Sequence, residues 1–191
     1  MVSTSVWLYL AFLLLLGAER LVELFLSRRN AQRAFARGGI EVGQGHFRLM
    51  ALMHSAFLVA CGAEVLLFSR GFPGALGVVA WVAVVGAQAL RYWAIATLGE
   101  RWNVRIIFVP GDAPVTSGPY RIIRHPNYVA VVLEILVVPL IHGAWATALV
   151  FTLANAAVLT VRIRAEERAL GASYATAFAQ RPRFVPAGRR T

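Results

Sequence analysis

Five long apolar runs, residues 6–26, 47–68, 73–98, 127–141 and 144–163, are separated by short segments that hold most of the chain's arginines. This alternation limits the possible folds severely. In hydrocarbon every backbone N–H and C=O must be satisfied within the spanning structure, and a helix crossing about 30 Å needs about 20 residues. The runs are too long and too continuously apolar for barrel strands, which alternate over about 10 residues. The pattern predicts an all-α polytopic membrane helical bundle of about five transmembrane helices, with a cytoplasmic loop before the fourth and a short C-terminal helix after the fifth. At about 15 residues the fourth run is short for a span, so it is expected to extend backward, tilt or start at the interface.

Hydrophobic residues make up 59% of the 191 positions, against roughly 45–50% in soluble domains. The formal charge is +10 and every cationic side chain other than histidine is an arginine. These arginines lie between apolar runs instead of along one stripe, which argues for membrane topology and against nucleic-acid binding. Arg28, Arg29, Arg33, Arg37 and Arg48 follow the first run, and Arg101, Arg105, Arg121 and Arg124 follow the third. Arg162, Arg164, Arg168, Arg181, Arg183, Arg189 and Arg190 close or follow the fifth, and Arg70 stands alone on the other side. The positive-inside rule then places the N-terminus outside and these connections and the tail in the cytoplasm, as for a bacterial plasma-membrane protein. Residues 1–5 lack the basic leader of a cleavable signal, so the first run reads as a retained anchor. Cys61, the single cysteine, supports neither a disulfide framework nor a cysteine zinc site. With no fixed-period repeat or low-complexity linker, residues 1–191 read as one domain.

Charges inside the runs need partners. Glu19, Arg20 and Glu23 interrupt the first, Glu64 the second, Arg91 the third and Glu134 the fourth. Glu19 and Glu23 share a helix face, and Arg91 is placed to pair with one of these acids across the bundle. Glu134 lies about two turns beyond Asn127 on the same face, so it either lines a pocket, with Arg91 as a substrate-binding partner, or hydrogen-bonds a neighbouring helix. His54 and Asn155 read as packing partners between helices.

Two clusters invite chemistry. In "SGPYRIIRHPNY", residues 117–128, Pro126 suits the first turn of a helix, where its missing N–H costs nothing. His125 then stands at the cap, and the helix start with Arg121 and Arg124 would attract an anion. The competing reading is a boundary whose arginines snorkel to headgroups. The second cluster is "RIRAEERAL", residues 162–170, where Arg162 and Glu166 share one face and Glu167 points elsewhere. A short turn between the last two runs makes the clusters neighbours. Upstream, the turn-rich segment 99–126 is expected to fold back over the bundle, with residues 104–109 extended against it.

The run "GPYRIIRHPNY", the following apolar hairpin, "RIRAEERAL" and "YATAFAQRPRFVP" together resemble the isoprenylcysteine carboxyl methyltransferase family over roughly residues 98–186. The longer stretch beginning "GERWNVRIIFVPGDAPVTSGPY" looks most like its bacterial branch that methylates alkylpyrones and alkylresorcinols. The resemblance implies an integral membrane O-methyltransferase that uses S-adenosylmethionine, with no metal, and a lipophilic acceptor arriving from the bilayer between helices. It implies that Arg124, His125, Pro126, Asn127, Tyr128 and Glu167 bind the cofactor. Arg162 and Glu166 would be catalytic, and the Tyr174–Phe178 segment would cover the pocket. The wider family and related sterol reductases place glycine where this chain has Ala130, and the reductases follow it with an acid where this chain has Val131. An isoprenylcysteine carboxyl methyltransferase proper, an NADPH-dependent sterol-type reductase and a non-enzymatic membrane module or transporter are the alternatives.

Overall fold

A computed structural model of the chain describes residues 3–185. The all-α expectation holds. Five helices, α1 (Thr4–Ala36), α2 (Gln44–Leu67), α3 (Ala75–Leu98), α4 (Pro126–Leu140) and α5 (Trp145–Ala177), form a bundle. The segments Phe47–Leu67, Ala75–Arg101 and Trp145–Ala177 are long and apolar enough to cross a membrane, while α4 is a shorter apolar helix. α3 packs on α4 and α4 on α5, so the two sequence clusters meet at one end of the bundle.

The helices bury narrow stripes and leave their other faces apolar and uncovered, as lipid-facing helices do. On α1 the stripe is Val6, Tyr9, Leu13 and Leu16; on α2 it is Met53, Phe57, Cys61 and Val65. α3 contributes Gly77, Ala80, Val84, Ala87, Arg91 and Ala94, small residues at alternating steps of three and four that let neighbouring helices approach. Arg91 sits on that seam in place of a small residue. Exposed Leu14, Leu21, Val59, Val82 and Leu153 show the lipid-type faces.

Outside the apolar runs, three features position the site. α1 continues beyond residue 26 to Ala36 because the stretch 27–36 contains good helix formers and no glycine or proline. A strand absent from the sequence reading, β1 (Ile40–Val42), pairs antiparallel with β2 (Ile106–Phe108), matching Glu41 with Ile107, so the expected extended segment is one half of a two-stranded sheet. The segment before β2 is pinned to α1. Asn30 Nδ2 donates to the Gly99 and Trp102 carbonyls, and Ser27 Oγ donates to Asn103 Oδ1 at 2.7 Å. At the 3-10 turn Gly118–Arg121, Gly118 has φ 54° and lies so close to α3 that a Cβ would stand 2.4 Å from Thr97 Oγ1, so only glycine fits. The short C-terminal helix is the end of α5 itself, set off by a break at Gly171, whose φ of 68° and ψ of −156° are non-helical.

At the opposite end, the Glu64 carboxylate accepts the Thr147 N–H at 2.7 Å, the Thr147 hydroxyl at 2.8 Å and the Ala146 N–H at 3.3 Å. A side chain from α2 thus meets the orphan donors of the first turn of α5, with Arg70 alongside at 3.3 Å.

Candidate active site

Pro126 is the first residue of α4 and His125 its N-cap, so the start of the helix is fixed by a residue whose ring already has helical φ. The first turn is less open to an anion than the sequence suggests. The His125 carbonyl takes the Tyr128 and Val129 N–H groups, and the Arg124 and His125 N–H groups donate to the Pro182 and Arg183 carbonyls. Nearby, the protein supplies its own anion. Glu167 is held by His125 Nε2 at 3.1 Å, by Arg183 Nε at 3.0 Å and Nη2 at 2.5 Å, and by Arg124 Nη1 at 3.9 Å. The same contacts hold the Arg183 guanidinium above its ordinary pKa, with the hydrogen bond to Glu167 the main cause. Arg121 is exposed and takes no part.

Glu166, the residue before Glu167 on α5, points into a cavity instead. The Tyr128 hydroxyl donates to Glu166 Oε2 and accepts from Arg162 Nε at 2.8 Å, and Arg162 Nη2 donates to the Val104 carbonyl at 2.7 Å. Arg162 is 4% exposed and its guanidinium stands 5.8 Å from the Tyr128 ring centroid. The phenol of Tyr128 therefore joins the two α5 residues that lie four apart, and Val104, just before β2, holds the arginine from a second side.

These groups line a cavity of about 520 Å³, within the range of small-molecule sites. Arg124, His125, Asn127, Tyr128, Arg162, Glu166 and Arg91 are in its wall; Pro126 and Glu167 lie behind it. Glu134 lines a separate recess of about 30 Å³ that shares Arg20, His54 and Leu58 with the large cavity. Tyr174 and Phe178, beyond the Gly171 break, line the cavity and pack on Ala94 and Tyr120. Burial pushes the Tyr120 phenol upward, so it remains a neutral donor.

The charges that α1, α3 and α4 carry within the bundle form one network beside the cavity. Arg91 Nε and Nη2 make a two-pronged contact to Glu23 Oε1 and Oε2, each 2.6 Å. Arg20 joins Glu19, Glu23 and Glu134, and Gln88 and Tyr92 donate to Glu19. Of the cavity wall, no expectation from the sequence covers Trp102, Tyr120 or the Val104 carbonyl, and His54, expected to pack between helices, lines the cavity with its Nδ1 on the Met50 carbonyl of its own helix. Trp102 and Val104 lie in the "GERWNV" segment, whose aromatic and polar residues in an otherwise apolar chain were the available signal; nothing marked a backbone carbonyl.

The isoprenylcysteine carboxyl methyltransferase family model matches residues 78–172. YpbQ of Bacillus subtilis, an uncharacterized protein, is 41% identical over 166 residues, covering 86% of this chain and 95% of its own. The chain belongs to the isoprenylcysteine carboxyl methyltransferase family. It is an integral membrane methyltransferase of that type. An uncharacterized Haemophilus influenzae protein is 29% identical over 80% of this chain and 89% of its own. The cobalt-zinc-cadmium resistance protein CzcN of Cupriavidus metallidurans is 35% identical over 51% of this chain and 43% of its own.

The family's methyl donor, S-adenosylmethionine, fits what lines the methyltransferase's cavity. Its charged groups are a sulfonium, an ammonium and a carboxylate; the cavity wall presents the Glu166 carboxylate to the first two and the Arg124 guanidinium to the third. Asn127 Oδ1 is shielded from solvent without a hydrogen-bond partner, an acceptor suited to an amino group. The stacked rings of His125 and Tyr128, 5.3 Å between centroids, and the nearby Tyr174 offer surfaces for a purine.

Proposed function

We propose that this methyltransferase moves the methyl group of S-adenosylmethionine to an oxygen of a long-chain hydroxypyrone or resorcinol drawn from the bilayer, with the donor reached from the cytoplasm. The observation that carries this reading is the Arg162–Tyr128–Glu166 chain, set in one cavity with His125 and Asn127. When bound, the donor would supply an electrophilic sulfonium methyl for an acceptor oxygen, with S-adenosylhomocysteine as the leaving group.

The protein's part is positional and electrostatic. His125, Asn127, Tyr128 and Tyr174 hold the donor, and Arg124 borders it. Pro126 sets the start of α4 from behind, and Glu167 fixes His125 and ties it to Arg183. Arg162, fixed on two sides by Tyr128 and Val104, keeps positive charge beside the acceptor oxygen as it loses its proton. Glu166 takes that proton, with the Tyr128 hydroxyl already aligned on its Oε2. Holding donor and acceptor side by side in one cavity supplies the rest of the acceleration. The apolar wall formed by Leu21, Leu24 and Leu58 receives the acceptor's chain.

The test is purified protein in lipid nanodiscs. Calorimetry measures donor binding, and labelled-methyl transfer is followed to an alkylresorcinol, an alkyl hydroxypyrone and a prenylated cysteine in parallel. Donor binding with methylation of the first two is expected. Methylation of the prenylated cysteine alone would overturn the acceptor assignment, and binding of NADPH without the methyl donor would overturn the transferase reading.

A further inference from the structure

The apolar wall of the cavity is interrupted by charge. Arg20, Glu23 and Arg91 line it, and Glu134 stands in the adjoining recess. A hydrocarbon chain alone would leave these groups facing apolar atoms, which is costly for every donor without a partner. One such donor exists. Arg91 is 6% exposed; its Nε and Nη2 are satisfied by Glu23, but Nη1 makes no hydrogen bond and its contact with Glu134 Oε2 spans 3.7 Å.

We propose that Arg91 is a second recognition point for the acceptor, donating through Nη1 to an oxygen other than the one methylated, so that the enzyme selects lipids whose polar ring bears two oxygen functions. This rests on the methyltransferase reading above and narrows its substrate class. Arg91 and Arg162 line the same cavity, and two hydrogen bonds of about 2.8 Å plus the width of an oxygen-bearing six-membered ring reach on the order of 10 Å. Charge sets the kind of oxygen: Glu19, Glu23 and Glu134 outnumber Arg20 and Arg91 in the network, so a neutral carbonyl or hydroxyl is favoured over a second anion. A site with an unpaired buried donor favours the ligand that supplies the missing acceptor over the analogue that leaves the donor unpaired.

The experiment compares a 5-alkylresorcinol with a 3-alkylphenol of the same chain length in nanodiscs, by Kd without methyl donor and by kcat/KM with it. The wild-type protein is expected to favour the resorcinol about tenfold or more in both. Arg91→Lys, which keeps a charge beside Glu23 but loses the forked donor, is expected to bring the two within about threefold. The double variant Arg91→Gln with Glu23→Gln, which removes a charge from each side of the pair, is expected to do the same. Equal binding of both lipids by the wild-type protein overturns the proposal even if neither variant folds. Undiminished preference in a cooperatively unfolding variant overturns the role of Arg91. Preference in binding without methylation of either lipid supports the recognition point and refutes the transfer reading instead.

Discussion

Replacing Tyr128 by phenylalanine deletes one oxygen and leaves the ring that packs against Leu159 and Ile163 and stacks on His125. That oxygen takes part in two hydrogen bonds to ionisable partners, from Arg162 Nε and to Glu166 Oε2. Hydrogen bonds to charged groups contribute about 1.5–3 kcal/mol each, but the cavity can admit water to repair part of the loss, so about 2–3 kcal/mol is the expected net effect. If the bridge organises the reacting end, that loss appears as a fall of about 30- to 150-fold in kcat/KM. The assay is methyl transfer by Tyr128→Phe, Glu166→Gln and the double variant in nanodiscs, with thermal unfolding as a control on folding. A coupling energy of about 0.5–2 kcal/mol between the two sites is expected, because Tyr128→Phe removes the bond that Glu166→Gln reduces to one between neutral groups. Additive effects, or full turnover by Tyr128→Phe while Glu166→Gln is inactive, would show that the phenol does not bridge and that Glu166 works without it.

Arg162→Ala is expected to lower turnover by about 100-fold or more while the protein still assembles and binds the donor, read by parallel transfer and calorimetry; robust turnover would remove it from the mechanism. His125→Ala should weaken donor affinity about tenfold with a smaller effect on acceptor KM, since it loosens the Glu167 and Arg183 fastening as well as the ring surface; unchanged calorimetric affinity contradicts its assignment. Glu64→Ala, at the far end of the bundle, strands the Ala146 and Thr147 donors and should cost about 2–4 kcal/mol, lowering the unfolding midpoint by several degrees without changing kcat measured well below it.

Much of the fold could be read from the chain because the bilayer imposes a one-dimensional rule: length and continuity of apolar residues decide which segments become spanning helices. Pro126 likewise marked the start of α4 through its own ring geometry. β1 was not legible, since a three-residue strand has too short a pattern to stand out and exists only because β2 pairs with it. The site was legible by cluster and not by partner. The sequence put Arg162 and Glu166 on one face and Glu167 on another, but Tyr128 as their bridge is a contact across two helices. Arg91 needed an acid, and three helices offered one; its two-pronged contact with Glu23 follows from how α1 and α3 lie together.

By itself the sequence determined that this chain is a helical membrane protein with its charges gathered at helix ends and a few buried positions, because transfer of apolar and charged groups between water and lipid depends on local composition. Only the tertiary structure decided which charges meet, that Glu167 is occupied by His125 and Arg183 while Glu166 faces the cavity, and that one Arg91 nitrogen is left to spare. The physical reason is range and direction: hydrogen bonds act over about 3 Å along fixed lone-pair and N–H axes, so their partners are chosen by helix packing, which local sequence does not encode.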